Sequence, residues 1–374
     1  MQQGQAQLDA GNYGKVFSLL QTDSSAESSL IKGKALLSID SDHCGQYFGR
    51  ATEAAPNSAE AHIWYGIYWM QWKHYRQARQ ELAKALSLDP ASANAHAAFG
   101  RCLFRLGQVT DGMAEMHKAI ALDPKSLLGH EYLADSYADQ LNQSKAVAEL
   151  TKLITIYPTM PILRVLRAKL YSESGDQQAF MDYAKAVELN PQFDYAYVQR
   201  ADLLMTKAEY KKAVADLVRP FAATNIEELQ RTRYYIRVRC YERLGEYKNA
   251  VADWNVLLKD VAKIKRLEAG WIKNGLLERA QDYLKIKDYQ QALADVKLLQ
   301  RFEPESRDAL VLTAKIHSHS GQYQTALDDY NKMIAIDNGI PEWWRERAEI
   351  LKKLGKTEAS QLNFKKAKEL EDGM

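Results

Sequence analysis

Three histidines at a fixed spacing are the first candidates for a metal site. His62, His96 and His130 follow one another at equal intervals along the chain. Zinc ligands converge at about 2 Å from one ion, whereas the axes of neighbouring packed helices are roughly 8–10 Å apart. Histidines at equivalent places on successive helices therefore do not meet at one ion. We predict that they pack between repeated units, and that the chain holds neither a metal nor another cofactor.

A search for catalytic groups is equally unproductive. His130 and Glu131 begin a zincin-like pair, but Ala134 stands where the second histidine belongs. His317 and His319 are two residues apart, so on a helix they point to different sides. The sequence has no Walker loop, no Gly-x-Ser-x-Gly elbow and no cysteine–histidine signature. We predict no catalytic residues and no enzymatic activity.

The cysteines and the hydropathy bear on the compartment. Cys44, Cys102 and Cys240 are few, odd in number and far apart, which favours a reducing compartment over a disulfide framework. No run of about 20 apolar residues is present, so we expect no membrane span. These features favour a cytoplasmic location. An exported or periplasmic location remains the alternative, because the chain opens inside an incomplete first repeat, as if a leader had been removed.

A proline that returns at a constant interval reveals how the chain is organised. Pro56, Pro90, Pro124 and Pro158 are spaced by the same interval as the three histidines, and Pro191 follows one residue early. A small residue also recurs at this interval, once in each segment between these prolines. A period of this length indicates a stack of supersecondary units that share one continuous core, rather than a globular domain.

Each unit reads as two helices joined by a short break. In the unit that begins at residue 59, Tyr65 and Trp69 are four residues apart and share one helical face. Ala78 and Leu82 repeat this spacing in a second helix. Pro90 then ends the unit, because proline disfavours helical geometry in the residue before it. Alternating β-branched runs are absent, which argues against a sheet.

This pattern resembles the tetratricopeptide repeat, a helix-turn-helix unit of about 34 residues. In the unit from residue 231, the matching residues are Tyr234, Tyr241, Leu244, Gly245, Tyr247, Ala250 and Trp254. Nine units cover residues 59–370, and two weaker ones precede them. The resemblance implies an all-α fold, an α-solenoid of about eleven helix-turn-helix repeats in a right-handed superhelix. It also implies a non-enzymatic scaffold or adaptor that binds a peptide or protein partner in its concave groove.

Two irregularities suggest a division of the chain. Pro220 falls inside an expected second helix, and the interval from Ala250 to Ala292 exceeds the period by eight residues. We therefore predict an N-terminal array over 1–225, with degenerate repeats in 1–58 and regular ones in 59–225. A C-terminal array over 226–374 would carry the eight-residue insertion near 258–272, which reads as a helical extension.

The family resemblance also indicates which residues face a partner. In the family the first helix of each unit lines the groove, mainly through repeat positions 2, 5, 9, 12 and 13, with position 6 close by. We predict apolar anchoring in one unit and binding of an acidic group in the next. The predicted partner-binding residues are Ile63, Trp64, Ile67, Met70, Gln71, Arg101, Phe104 and Arg105. For Trp64, Ile67 and Met70, packing between helices is an equally good interpretation.

A second candidate surface is basic. Residues 231–273 contain eleven Lys or Arg against five Asp or Glu, and Arg231, Arg233, Arg239 and Arg243 lie close together on one helix. They indicate either a nucleic-acid interface or a solvated helix face whose arginine stems cover apolar neighbours. Nucleic-acid association is thus the alternative function. Chaperone co-factors of the family hold a C-terminal carboxylate with a clamp of lysine and asparagine residues. This sequence lacks that clamp, which argues against a C-terminal carboxylate as its ligand.

Overall fold

A computed structural model describes residues 2–9, 13–37, 43–173, 177–220, 227–259, 270–303 and 306–372. These residues form 22 α-helices and no β-strand. The predicted all-α architecture of helix-turn-helix repeats is therefore confirmed. The right-handed sense of the superhelix stays a prediction.

The helices fall into two compact units, Met1–Arg233 and Tyr234–Met374. Unit 1 contains α1 (Gln2–Asp9), α2 (Tyr13–Leu19), α3 (Ala26–Leu37), α4 (Cys44–Ala54), α5 (Ala59–Gln71), α6 (Tyr75–Leu88), α7 (Ala93–Arg105), α8 (Val109–Leu122), α9 (Leu127–Asp139), α10 (Gln143–Ile156), α11 (Pro161–Glu173), α12 (Gln177–Leu189), α13 (Asp194–Thr206) and α14 (Tyr210–Val218). The unit boundary lies within α15 (Glu227–Leu244). Unit 2 contains α16 (Tyr247–Leu257), α17 (Gly270–Lys285), α18 (Tyr289–Gln300), α19 (Arg307–His319), α20 (Tyr323–Ile336), α21 (Pro341–Lys353) and α22 (Thr357–Asp372).

The predicted division at residue 225 stays a prediction, and part of it concerns residues that the structure does not describe. Residues 221–226 and 260–269 lie outside the described ranges, so the predicted helical extension cannot be compared with a structure. Pro220 itself is described. Helix α14 ends at Val218, two residues before this proline, as expected for a residue that cannot continue a helix.

Serine residues start the first helices of three consecutive repeats. The hydroxyls of Ser58, Ser92 and Ser126 accept hydrogen bonds from the backbone N–H groups three residues later, at 3.3, 3.3 and 3.1 Å. Each bond satisfies one of the four backbone donors that an α-helix leaves unpaired at its N-terminus. These serines follow the periodic prolines at a constant distance, so the repeat period fixes both the end of one unit and the start of the next.

The turn between the two helices of a repeat contains a residue whose backbone has a positive φ, the left-handed conformation. Four of these residues are glycines, for which a positive φ carries no steric penalty: Gly107, Gly245, Gly321 and Gly355. Four others are Lys73, Leu141, Ala208 and Lys287, with φ between 58° and 63°. In these four turns a side chain occupies a conformation that L-residues adopt at a cost.

Small residues let the helices of a repeat approach closely. Ala78, Leu82 and Ala85 of α6 are fully buried against α5 and α7. In the next repeat, a Cβ added to Gly112 would lie 2.6 Å from the carbonyl oxygen of Gly100 and 2.7 Å from the amide nitrogen of Phe104. Both of these are backbone atoms of α7, so the two helix backbones are in contact there.

The periodic histidines join the two helices of their own repeats. Nδ1 of His62, His96 and His130 lies 2.6, 2.5 and 2.7 Å from a glutamate 19 residues later on the second helix. Nε2 of each also contacts a carbonyl oxygen of the proline six residues earlier. The histidines therefore join the two helices of their own repeat and contact the turn before it, so the prediction that they pack between repeats was wrong.

Later repeats replace this histidine pair by an arginine pair. Arg200 contacts Asp216 through two hydrogen bonds of 2.7 and 2.6 Å, and Arg279 contacts Asp295 in the same bidentate way at 2.7 and 2.5 Å. The aspartate in each case lies 16 residues after the arginine, on the second helix. The periodic polar residues thus have structural partners within their repeats.

Candidate functional site

The inner surface of unit 1 encloses a cavity of about 490 Å³, which we call the N-terminal groove. Its lining comes from α1, α3, α5, α7, α9, α11 and α13, together with Met160 just before α11. These are the first helices of seven successive pairs, and no second helix contributes. The ends of unit 1 also meet, because Nζ of Lys15 donates to Oε1 of Gln192 at 3.1 Å.

The predicted apolar residues divide between this groove and the core. Trp64, Ile67 and Gln71 line the groove, whereas Ile63 and Met70 are buried and absent from its lining. Ile67 is itself 7% exposed and packs in the core of this region. Trp64 is half-buried, with its ring stacked on Phe48 and Nζ of Lys34 4.6 Å from its centroid. A charged substitution at Ile67 would therefore disturb packing as well as the groove.

The predicted basic residues are already occupied by carboxylates of the chain. Arg101 is 6% exposed, and its Nη1 donates to Asp139 at 2.6 Å and to Ser136 at 2.9 Å. Arg105 lies 3.3 Å from the same Asp139, and neither arginine lines the groove. Phe104 is half-buried beneath Arg101, whose guanidinium carbon lies 5.5 Å from its ring centroid. Binding of a partner's acidic group by Arg101 and Arg105 would first require these ion pairs to break.

Sequence reasoning missed the polar part of the groove, which α9 and α11 supply. Glu131, Tyr132 and Asp135 of α9 line it, together with Lys169 of α11. They occupy the same repeat positions as the apolar residues of α5 that were selected, so the signal was present in the alignment of the repeats.

Enclosure by the groove walls shifts the acidity of these carboxyl groups. Burial raises the pKa of Glu131 to about 8, with a further rise from the neighbouring Asp135 and a partial offset from Arg101. Partial desolvation also raises the pKa of Asp135, although Arg101 opposes the effect and about half of this side chain stays exposed, at 51%. The pKa of the Tyr132 hydroxyl on the same helix is well above its usual value, chiefly because of desolvation. The groove floor therefore disfavours uncompensated negative charge.

Unit 2 has its own cavity, of about 960 Å³, lined by the first helices α17, α19 and α21, by Lys287 in the turn before α18 and Tyr289 at its start, and by Ile340 just before α21. Its walls carry both charge signs, including Lys285, Lys315, Asp308 and Glu346. Arg307 at its edge is bound to Asp337 at 3.2 Å. The mixed and solvent-exposed charges give this cavity a less defined chemistry than that of the N-terminal groove.

The basic helix α15 is only partly available to a ligand. Arg233 is buried and donates to the backbone carbonyls of Leu217 and Arg219 at 2.7 and 2.9 Å. Arg239 lies 3.1 Å from both Glu242 and Glu278. Arg231 and Arg243 are exposed. Two of the four predicted arginines therefore have a structural role.

The described residues offer little reactive chemistry. Among them, no group of three His, Cys, Asp or Glu side chains is arranged to hold a metal ion. All three cysteines are buried, and burial raises the pKa of the Cys102 thiol to about 11, which disfavours the reactive thiolate. Burial raises the pKa of Asp282 to about 7, but this side chain is enclosed and absent from the unit 2 cavity lining. No described helix is both long and apolar enough to span a bilayer.

Comparison with known proteins agrees with this architecture. Two tetratricopeptide repeat models match residues 70–134 and 277–341. A DnaJ protein P58IPK homolog B of Oryza sativa subsp. japonica is 22% identical over 187 residues, which cover 49% of this chain and 39% of the rice protein. The solved structure of the human IFIT1 dimer with m7Gppp-AAAA is similar at 17% identity and a TM-score of 0.51, over 88% of this chain and 76% of that one. A tetratricopeptide repeat protein of Thermus thermophilus, TTC0263, aligns at 21% identity over 48% of this chain and 99% of its own, with a TM-score of 0.42.

Proposed function

Because this chain is a tetratricopeptide repeat protein, we propose that it is a non-enzymatic scaffold that binds an extended segment of a protein partner in the N-terminal groove. Stacked repeats of this kind present extended concave surfaces for binding. The observation that carries the proposal is the composition of the groove, which only first helices line and which exposes apolar and aromatic surface at Trp64, Tyr132 and Leu166. Its volume of about 490 Å³ suits a few side chains of a bound segment.

The test uses a phage-displayed library of random 12-residue peptides, selected on the immobilised full chain. Recovered peptides should bind the wild type and lose about tenfold or more in affinity with Trp64→Ala, since large aromatic anchors dominate binding energies. Trp72→Ala is the matched control, because Trp72 is 39% exposed and lies outside the groove lining. Asn94→Arg supplies a second probe, because this exposed residue lines the groove and its enlargement blocks the space without touching the core.

Thermal melting of each variant separates lost binding from lost folding. Peptides that bind Trp64→Ala and Asn94→Arg as well as the wild type would place the binding surface elsewhere. A library that yields no peptide specific for the folded chain would remove the proposal altogether.

Nucleic-acid association through residues 231–273 is the second candidate, supported by the exposed Arg231 and Arg243. The similar fold of IFIT1, whose structure includes m7Gppp-AAAA, makes a phosphate-bearing ligand worth testing. The measurement is fluorescence polarisation of a labelled 20-nucleotide single-stranded RNA at 50 and 200 mM KCl. Phosphate contacts predict steep weakening with salt and weaker binding by Arg243→Ala. RNA binding that is absent at low salt would exclude this candidate.

A further inference from the structure

The floor of the N-terminal groove carries two carboxyl groups that no described cation contacts closely. Glu131 and Asp135 are four residues apart on α9, so they lie on one face, and both line the groove. Among the described residues, Glu131 has no hydrogen-bond or ion-pair partner. The best contact of Asp135 is a long one, with 3.7 Å between its Oδ2 and Nη2 of Arg101.

The cations near these carboxylates are bound to other groups. On α7, Arg101 and Arg105 both contact Asp139, which itself belongs to α9. From α11, Lys169 donates to the neutral Tyr195 hydroxyl of α13 at 2.7 Å and keeps its positive charge, which opposes the rise in the pKa of Asp135. From α3, Lys34 contacts Glu60 at 2.7 Å.

Among the described residues of the groove lining, the remaining titratable groups add no positive charge. Asp9 of α1 is a further carboxylate in the lining, where it accepts a hydrogen bond from Gln5, and Tyr132 lies between the two acidic residues of α9. Together with the groups above, these are the charged and titratable side chains among the described residues that line the groove.

We propose that the segment bound in the N-terminal groove presents a lysine or arginine side chain to Glu131 and Asp135. This inference rests on the proposed function, since it specifies the occupant of the same groove. Asp135 and the carboxyl group of Glu131, which ionises when a cation binds, would face such a side chain, and Leu128, Tyr132 and Leu166 offer apolar surface to its methylene stem. The cationic side chain would donate a charge-assisted hydrogen bond to Glu131, in place of the hydrogen bonds that water would make if the groove walls did not exclude it.

Binding of a cation to this floor has a signature in protons. With a pKa of about 8, Glu131 is mostly protonated at pH 7 in the free protein. A bound ammonium or guanidinium favours its ionised form, so complex formation releases up to one proton from this group. Affinity should therefore increase with pH from 6 to 8, by at most about tenfold per pH unit for one proton, and level off above pH 8.

The test continues from the peptide library, now selected at pH 8.0. The synthetic peptide of the most enriched clone is compared with a copy in which its basic residue is replaced by methionine. Titration calorimetry at pH 7 in phosphate and in Tris, whose ionisation heats differ, gives the number of protons released. The protein variants are Glu131→Gln and Asp135→Asn, with Glu53→Gln and Asp111→Asn as matched controls, because Glu53 and Asp111 are exposed and outside the groove lining.

We expect the enriched peptides to share a Lys or Arg, and Glu131→Gln to weaken binding about tenfold or more. The same variant should abolish proton release, whereas both control variants should bind and release protons as the wild type does. A merely structural role of Glu131 would leave the proton count unchanged in any variant that still binds.

Four results would overturn the inference. Enriched peptides that depend on Trp64 but carry no basic residue would refute the inference and leave the proposed function unaffected. Unchanged binding by Glu131→Gln would have the same consequence. Failure to recover any peptide that depends on Trp64 would remove the proposed function and this inference together. A groove filled by a second copy of the chain would be detected as a dimer in analytical ultracentrifugation that Asn94→Arg dissociates.

Discussion

Nδ1 of His130 lies 2.7 Å from Oε2 of Glu149, across the two helices of one repeat. The hydrogen bond to Glu149 raises the pKa of His130, although burial opposes it. Burial alone would raise the pKa of Glu149, but hydrogen bonds from His130 and Lys152 lower it below its usual value. The pair is thus more favourable when both members are charged.

The first prediction concerns the pH range in which this pair stabilises the fold. A raised histidine pKa contributes stability below its unfolded value of 6.5, which is lost as the pH rises through the folded value. A lowered glutamate pKa contributes above 4.5 and is lost as the pH falls through the folded value. His130→Gln should therefore lower the urea midpoint most near pH 5.5 and less at pH 9.

The matching control is the same substitution in a Glu149→Gln background. There the effect of His130→Gln should be small and should no longer differ between pH 5.5 and pH 9. A loss that is equal at both pH values in the original background would show that the pair contributes only packing.

The second prediction concerns the bidentate pair of Arg279 and Asp295. Asp295 is 5% exposed, and burial raises its pKa although Arg279 opposes the effect. Arg279→Ala leaves this carboxylate buried without its partner, which should cost about 3–5 kcal/mol of unfolding free energy at pH 8. The cost should be smaller at pH 5, where the orphaned carboxyl group can take up a proton. Urea denaturation at pH 8 and at pH 5 measures the loss of unfolding free energy under each condition.

The comparison variant for that prediction is Arg243→Ala. Arg243 is exposed on α15, and its replacement should change stability by less than about 0.5 kcal/mol. Equal effects of the two substitutions would mean that the buried pair does not matter for stability.

The third prediction concerns the backbone contact between α7 and α8. Gly112→Ala would place a methyl group 2.6 Å from the Gly100 carbonyl oxygen, so the helices would have to separate. We expect a loss of about 1–3 kcal/mol or more, measured by thermal melting followed by circular dichroism. Gly49→Ala on α4 should instead be neutral or stabilising, by up to about 1 kcal/mol, because its nearest neighbour would be 3.8 Å away. A destabilising Gly49→Ala paired with a neutral Gly112→Ala would contradict the packing described.

The fourth prediction concerns the left-handed turn at Leu141. This leucine has a φ of 58° and is 94% exposed, so its side chain gains little from packing. Relief of the left-handed strain, about 1–2 kcal/mol, should exceed the entropic cost of a glycine, about 0.5–1 kcal/mol. Leu141→Gly should therefore raise the urea midpoint. Leu362 lies within α22 and is 68% exposed, so Leu362→Gly should lower the free energy of unfolding by about 1 kcal/mol, and the urea midpoint with it.

The repeat architecture was readable from the sequence because it depends on short-range patterns. Apolar residues at helical spacing, the periodic prolines and the small residues at Ala78 and Gly112 each act within one repeat or between neighbours. Their consequences recur in every repeat, so a single sequence samples the same physical requirement many times. The end of α14 before Pro220 follows from the same local rule.

The partners of the polar residues were decided by tertiary structure. Arg101 reads as a ligand for a partner's acid in the sequence, yet α9 places Asp139 against it and buries it. The equally spaced histidines are bound by glutamates whose distance along the chain no single helix pattern reveals. Which charges neutralise each other depends on the packing angle and register of two helices, and local periodicity does not fix these.

The groove shows this limit most clearly. The sequence by itself determined the repeats, because their apolar positions recur with the period, and the family resemblance of these repeats implied that their first helices share an inner surface. Only the tertiary structure decided that Glu131 is enclosed, because unit 1 curves far enough for α1 and α13 to line one cavity with α9. That curvature is the sum of small rotations at every repeat interface, so the exclusion of solvent that raises the pKa of Glu131 is a property of the stack and of no single repeat.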